Sequence, residues 1–411
     1  MALLRREAVA VTGLGLLAPS GVGVTAAWDG LCAGTSFAVA DPELAGLPVD
    51  FSCRVPELDV KELLGHKLAR RLDLFTVLAL LAAREATANA GLDSASWDGT
   101  RVGVVMGVGI GSMQSWQPEF DRLAAGAPEK VSPLALSRSL PNMAAAEIAL
   151  DLGALGPNLV VSTACASGSS AIGMARELLL AGSCDLVLAG GAESARMPMP
   201  AACFAQMRAL SRRSSDPAGA SRPFDLDRDG FVLGEGAAVL VLERQQHARA
   251  RGARIRAQLA GFGSSCDGHH ITAPHPEGDG AARALRGALA DAGLDPADIG
   301  HVNAHGTGTP HGDAAEARAL HSVFGSPPPV TALKGAIGHA IGGAGAIEAV
   351  CTVLALEQQL IPPTANLDAP DPACDLDVVT KVPRPHRMAA AVSNSFGFGG
   401  QNAVLAFTRC P

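Results

Sequence analysis

Cys165 stands in "VVSTACASGSSAIG", where a β-branched run gives way to alanine, serine and glycine. Val160, Val161, Ser162 and Thr163 favour an extended strand. Beyond the thiol, Ala171, Ile172, Met174, Ala175, Leu178 and Leu179 recur at helical spacing. Cys165 therefore falls at a strand-to-helix corner, where the macrodipole and the free N–H groups of a helix start are expected to lower its pKa. Two readings stay open for it, a buried structural cysteine or a nucleophile that small neighbours leave accessible. His305 ends the short strand of "HVNAHGTGTPHGD", and Lys334 and His339 share "LKGAIGHAIGGAGAIEAV". Both histidines lie on glycine-lined loops after strands, where ligand-facing residues of α/β folds collect. Phe396 and Phe398 sit in the glycine-rich turn "NSFGFGGQN". His66, His247, His321 and His386 lack such a setting and read as ordinary surface or core residues.

The elements that must carry these residues occur in two passages of the same order. "AVAVTGLG", "RVGVVMGVGIG", "NLVVSTACASGSSAIGMARELLLAG" and "AAVLVLER" form the first. "RAQLAGFGSS", "IGHVNAHGTGT", "PVTALKGAIGHAIGGAGAIEAVCTVLAL" and "NAVLAFT" form the second. The match is one of pattern, and it predicts an internal repeat. Helical stretches such as "LDLFTVLALLAAREATANAG" and "GAARALRGALADAGL" lie between strands and end at glycine stops. Strand and helix in alternation predict sheets covered on both faces. The expected fold is α/β, two halves joined near 250–260 (1–255 and 256–411) in an α/β/α/β/α layered body.

At 411 residues, 48% hydrophobic and 18% charged, the chain can bury a large core. A net charge of −8 argues against a general nucleic-acid binder. Nine scattered cysteines without a CxxC pair read as reduced thiols in a cytoplasm, with neither a disulfide framework nor a zinc site. The uncharged stretch 8–28 follows Arg5 and Arg6 and superficially resembles an anchor. Gly13, Gly15, Pro19, Ser20, Gly21 and Gly23 interrupt it too often for a spanning helix, so no membrane segment is expected there. The chain has no tyrosine, which excludes a tyrosine acid or nucleophile.

Three motif matches point elsewhere and are better read as structural turns. "GLGLLA" fits a dinucleotide fingerprint, yet Pro19, Ser20 and Gly21 follow where a helix should run. "DLDRDG" opens like a calcium loop, but its twelfth position is Gly236, with Glu235 one place early. His301 and His305 are four apart, but Gly306 and Gly308 make a loop where a zinc-binding helix would be needed.

TACASG, NAHGTGT, a Lys334-(x4)-His339 pair and SFGFGG, in that order, resemble the β-ketoacyl-acyl-carrier-protein synthases, condensing enzymes of the thiolase superfamily. The resemblance spans essentially the whole chain, including "LSRRSSDPAGASRPFDLDRDGFVLGEGAAVLVLER" and "PPTANLDAPD". It is closest to the long-chain type two synthases and to polyketide ketosynthases. It implies a thiolase-like duplicated five-layer αβαβα fold and a decarboxylative Claisen condensation. Cys165 would carry the acyl group, with Cys165 and Phe398 backbone N–H groups as the oxyanion hole. His305 and His339 would stabilise the enolate left by malonyl decarboxylation. Lys334 and Glu348 would be the supporting charged pair, and Thr307 and Thr309 would bind the phosphopantetheine arm.

No metal or resident cofactor is implied, because the substrates arrive as thioesters on acyl carrier protein. Lys67, Arg70, Arg71 and Arg208 match positions that meet that carrier, with Arg212 and Arg213 near the last. "NLVVS" matches the strand that pairs across a two-fold interface, giving a homodimer or a heterodimer with a chain-length-factor-like subunit. Ile110 and Phe204 are the candidates for the near wall of the acyl pocket, with Leu136 and Ser139 reaching in from the partner. "SFGFGGQN" looks like the fatty-acid type and unlike the "GFGGFQ" of aromatic polyketide ketosynthases, although Gln401 stands where bacterial fatty-acid members usually carry Thr. A ketosynthase of a dissociated polyketide or polyene system would use the same residues. A non-catalytic chain-length partner would lack the nucleophile, which is present here.

Overall fold

The computed structural model describes residues 9–111 and 113–410. Ten strands make one continuous sheet: Val9–Ala18 (β1), Val102–Gly107 (β2), Asn158–Val161 (β3), Leu186–Ser194 (β4), Glu235–Arg244 (β5), Ala257–Cys266 (β6), Ile299–Asn303 (β7), Val330–Thr331 (β8), Ala390–Gly397 (β9) and Gln401–Arg409 (β10). Their order across the sheet is β8-β7-β9-β10-β6-β1-β5-β4-β2-β3, with Gly21–Val22 added against β1. Read inward from either edge, two parallel pairings are followed by two antiparallel ones. The halves meet at an antiparallel seam where Val9, Ala10 and Val11 of β1 face Leu259, Gln258 and Ala257 of β6. That mirrored order is the repeat expected from the sequence, with the addition that hydrogen bonds join the two sheets edge to edge.

The helices complete the five layers. Leu74–Asn89 (α1) and Met143–Leu152 (α2) cover the outer face of the first half. Ser167–Leu180 (α3) and Ile341–Gln358 (α7) pack against each other and touch strands of both halves. Asp279–Ala292 (α5) and Pro310–Phe324 (α6) cover the second half, and Pro198–Gln206 (α4) lies beside the site. α3 is buried over its first half and reaches solvent at Met174 and Glu177, whereas α7 has no polar face because it does not meet solvent before its last turn. In α7 every residue from Ile341 to Leu356 is buried, and it is long and apolar enough by composition to cross a membrane. Here it is the central helix of the core. Removing one of its large side chains, such as Leu354→Ala, is expected to cost ~2–5 kcal/mol.

The misleading motifs resolve in the same frame. "GLGLLA" lies within β1, and its glycines serve close packing: a Cβ at Gly13 or Gly15 would meet the Ala86 or Ala82 carbonyl oxygen of α1 at 2.2 and 1.9 Å. Of the stretch 8–28, position 8 and the two preceding arginines lie outside the described residues, and the rest is β1, Gly21–Val22 and a helix from Val24. In "DLDRDG" the Asp225 carboxylate accepts from the Asp227, Asp368 and Ala369 N–H groups and pairs with Arg222, as a turn-forming residue does. His301 lies within β7 and His305 in the loop beyond it, both buried.

Candidate active site

The chain leaves β3 at Val161 and enters α3 at Ser167, and Cys165 stands between them. Ala164 has φ 50°, a left-handed conformation that a residue with a Cβ adopts only when its surroundings impose it. The Ser167 hydroxyl imposes it by accepting from the Thr163 N–H at 2.9 Å and donating to the Ala164 carbonyl at 2.6 Å. The turn points Cys165, 8% exposed, into a cleft also lined by Phe204, Phe231, Ile341 and Phe398. The N–H groups of Cys165 and Phe398 converge on the sulfur. The thiol is not acidic, contrary to what a helix start alone would give. Burial pushes the thiol up to about 11, against Lys334 and the two N–H groups pulling it down, while Glu193 adds to the rise. Loss of water outweighs the helix start because the corner is enclosed.

His305 and His339 line the same cleft, their rings 5.4 Å apart and nearly perpendicular at 85°. Phe396 stands 5.8 Å from His305 and Phe231 5.4 Å from His339, both edge-on. Nδ1 of His305 and both ring nitrogens of His339 are buried without a partner among the described residues. Burial, then the Lys334 charge, holds both imidazoles well below 6.5, and each ring is neutral at neutral pH. Lys334, 1% exposed, donates to the Glu348 carboxylate of α7 as a buried ion pair. Burial raises the Glu348 carboxyl to about 7, opposed first by the Lys334 charge.

Two acids that the sequence reading passed over hold this arrangement. Glu316 of α6 accepts from the His305 and Gly306 N–H groups, both at 2.8 Å, and from the Asn394 amide at 3.0 Å. It stands eleven positions after His305 in "GDAAEA", and an acid on the buried side of that helix was the signal to follow. Glu193 is the penultimate residue of the apolar strand β4 and accepts from four backbone N–H groups around the cleft.

The remaining candidates divide. Thr307 and Thr309 line the cleft with hydroxyls 3.0 Å apart. Phe204 and Phe398 line it too, in edge contact at 6.2 Å. Ile110 packs in the apolar cluster that holds Cys165 and Phe204 but is not among the cleft-lining residues. Leu136 is 57% exposed, as a side chain offered to another subunit would be. Ser139 is not: it is buried in its own chain, and its hydroxyl donates to the Ala135 carbonyl at 2.7 Å, because a serine one turn along a short helix bonds back to the preceding turn. Lys67, Arg70 and Arg208 are exposed and make no ion pair among the described residues, whereas Arg71 is half-buried and paired with Glu147.

A thiol and two neutral imidazoles above one cleft, carried by mirrored halves with five layers, define a thiolase-like condensing enzyme. The beta-ketoacyl synthase N-terminal domain matches residues 6–248 and the corresponding C-terminal domain residues 256–368, so the chain belongs to the beta-ketoacyl synthase family. A 3-oxoacyl-[acyl-carrier-protein] synthase 2 of Synechocystis is 42% identical, with 100% of both chains covered. The solved ishigamide ketosynthase/chain length factor superposes with a TM-score of 0.92 at 36% identity, covering 99% of this chain and 100% of that one. A type II PKS ketosynthase, solved in complex with its acyl-carrier protein and bound to the hexaketide, gives a TM-score of 0.91 at 31% identity, with coverage of 99% and 100%.

Proposed function

We propose that the chain performs the condensation step of fatty acid elongation, and that the observation carrying its mechanism is the pair of buried, neutral, unpartnered imidazoles beside Cys165. Because burial raises the thiol well above its ordinary value, little of it is thiolate at pH 7, so acyl transfer needs a base. A cleft imidazole takes the proton as sulfur attacks the carrier-bound acyl thioester, and the same proton passes to the departing carrier thiol. The Cys165 and Phe398 N–H groups, already turned to the sulfur, receive the oxyanion. Malonyl-carrier protein then replaces the free carrier. Its carboxylate leaves as CO₂, and the electron pair becomes an enolate whose oxygen accepts N–H bonds from His305 and His339. The enolate carbon attacks the acyl-Cys165 carbonyl, the Cys165 thiolate leaves, and the β-ketoacyl chain departs on its carrier.

The other assignments follow from position. Lys334, held by Glu348, adds its charge to the burial that keeps the imidazoles neutral, and Thr307 and Thr309 receive the pantetheine arm. Phe204, with Ile110 behind it, bounds the acyl chain. Lys67, Arg70 and Arg208 offer the local positive surface that a net charge of −8 makes necessary for an acidic carrier, and Arg71 contributes less because Glu147 holds it. The outer edge of β3 pairs with a second subunit, identical or chain-length-factor-like, and Leu136 meets the partner. Residues 1–255 and 256–411 are the two halves, no resident cofactor takes part, and nine unpaired thiols suit a cytoplasmic location.

The same residues would serve a type II polyketide ketosynthase, and the solved relatives of that kind are what favour this second reading. Incubation with acyl- and malonyl-carrier protein, followed by mass spectrometry of the peptide containing Cys165, tests the assignment. An acyl adduct on Cys165 that is chased into β-ketoacyl product is expected. An adduct on any other residue overturns it.

A further inference from the structure

We propose that Glu193 is a positioning residue for acyl-chain acceptance, a buried carboxylate that fixes the loop after β2 and the first turn of α7 in the arrangement that receives a chain from Cys165. The inference rests on the reading that Cys165 carries the acyl group. Glu193 is 0% exposed, and no cation pairs with it among the described residues. A bare carboxylate in such a place must be met by donors. Oε2 accepts from Gly109 at 2.8 Å, Ile110 at 2.9 Å and Gly342 at 3.3 Å, and Oε1 accepts from Gly111 at 2.9 Å. Three donors come from a loop with no strand partner, and the fourth from a helix start, where N–H groups lack intrahelical acceptors. Glu193 is thus the common acceptor of two segments more than two hundred positions apart.

The two segments are pressed together where they share it. A Cβ at Gly342 would lie 2.2 Å from the Gly109 nitrogen, and one at Gly109 would lie 2.8 Å from Glu193 Oε2 and 3.0 Å from Ile341 Cγ2. What the carboxylate fixes is apolar. Ile110 of the loop and Ile341 of the helix start pack in the cluster that contains Cys165 and Phe204, and Ile341 lines the cleft. Ile341 is held at φ 40°, a strained backbone for a β-branched residue. It follows the Ala340 cap and directly precedes the N–H bonded to Glu193. Burial raises the carboxyl to about 7, opposed by the same four N–H groups. A glutamine in its place would turn an amide NH₂ toward donors and leave part of the fourfold acceptor empty. A long chain that passes Ile341, with Ile110 packed in the same apolar cluster, would lose a fixed wall, while an acetyl group scarcely reaches it.

The test compares wild type and Glu193→Gln as full chains, using acetyl-carrier protein and a long saturated acyl-carrier protein as primers. KM and kcat of Cys165 acylation are read by mass spectrometry, and amide hydrogen exchange is read at 109–111 and 342. The expected result is a rise of about tenfold in the long-to-acetyl KM ratio, with kcat moving less, and faster exchange at both segments. A folded variant whose ratio stays within about twofold of wild type and whose exchange is unchanged overturns the proposal. If wild type is acylated by neither primer, the reading of Cys165 fails, and the exchange comparison still decides whether Glu193 fixes the two segments. If Glu193→Gln does not fold, Glu193→Asp, which keeps the charge one methylene short, takes the same measurements with the same opposing results. Fast exchange of 109–111 in wild type overturns the proposal whichever variant folds.

Discussion

The corner at Cys165 and the corner at His339 occupy matching places in the two halves, each between an edge strand and an inner helix. The first crosses from β3 to α3 in a tight turn, takes its strain at Ala164, and presents a thiol. The second inserts a single helical turn, Lys334–Ile337, turns at Gly338 with φ 66°, and presents an imidazole and an ammonium. Their edges differ too. Val330 of β8 is covered by the segment behind it, donating to the Asp377 carbonyl at 2.9 Å and accepting from the Val379 N–H at 2.8 Å. The outer side of β3 has no such cover among the described residues, and Asn158 and Leu159 are exposed. Duplication kept the frame that sets a residue above the cleft. The corner residue and the edge carry the divergence, so one half presents a thiol beside an open edge and the other presents polar donors behind a closed one.

Exchanging the chemistry of either corner breaks the comparison most severely. Cys165→Ala should leave no acyl-enzyme and no condensation, measured as β-ketoacyl-carrier formation; product at near wild-type rate would show that the first corner is not the nucleophile's. His305→Ala or His339→Ala should retain acylation, because the remaining imidazole of the cleft can still serve as the base, and should slow malonyl decarboxylation, which uses both, on the order of 10²–10³-fold, seen as CO₂ release. Equal loss of acylation and decarboxylation would mean that the second half is not specialised for the enolate.

A third prediction concerns protons buried in the second half. Burial holds His301 near 3 in the folded chain, with the His386 charge adding to the effect. Below 6.5 the unfolded chain binds a proton that folded His301 refuses, so its contribution is present above 6.5 and is lost as pH falls toward the folded value. His301→Phe should therefore recover about 2 kcal/mol of the stability that wild type loses between pH 6.5 and pH 5, read from denaturant midpoints. A variant that loses as much as wild type would contradict this.

The edges give the next test. Leu159→Lys on β3 should shift the subunit assembly toward monomer in sedimentation, since a lysine on an edge strand opposes pairing. An unchanged assembly would place the interface elsewhere. The smallest effect belongs to the first turn. Ala164→Gly should alter stability by less than about 1 kcal/mol, because relief of strain is offset by a freer unfolded chain. Gly338→Ala should cost more, since a Cβ there would meet the Val232 carbonyl at 2.9 Å at a positive φ.

What could be read beforehand follows from how far each signal reaches along the chain. Cys165, His305 and His339 were legible because strand, glycine-lined loop and helix are local patterns, and the mirrored strand order was legible because it repeats. Glu193 was not, since an acid that serves backbone N–H groups across the fold leaves no mark on its neighbours, and Glu316 showed only as an acid on the buried side of its helix. The direction of the thiol's pKa was misjudged for the same reason: a helix start is visible in eleven residues, whereas enclosure depends on Phe204, Ile341 and Phe398, which arrive from three separate stretches. Ser139 was placed by analogy with a partner's pocket, and only the packing of its own short helix turns it inward.

The pairing of β1 also bears on how the chain is made. Thr12 on β1 donates to Glu243 on β5, 231 positions later, and every residue of β1 is buried in the finished sheet. At about 5–20 residues per second of synthesis, that partner emerges on the order of 10–50 s after β1 itself. Through that interval ten apolar and small residues, with open hydrogen-bonding groups on both sides, have no place in the sheet to occupy. The nascent strand must be sheltered, by transient contacts with α1 or by a chaperone, until β5 is released. A ribosome stalled between the two should yield a product far more prone to aggregate than one stalled just beyond β6.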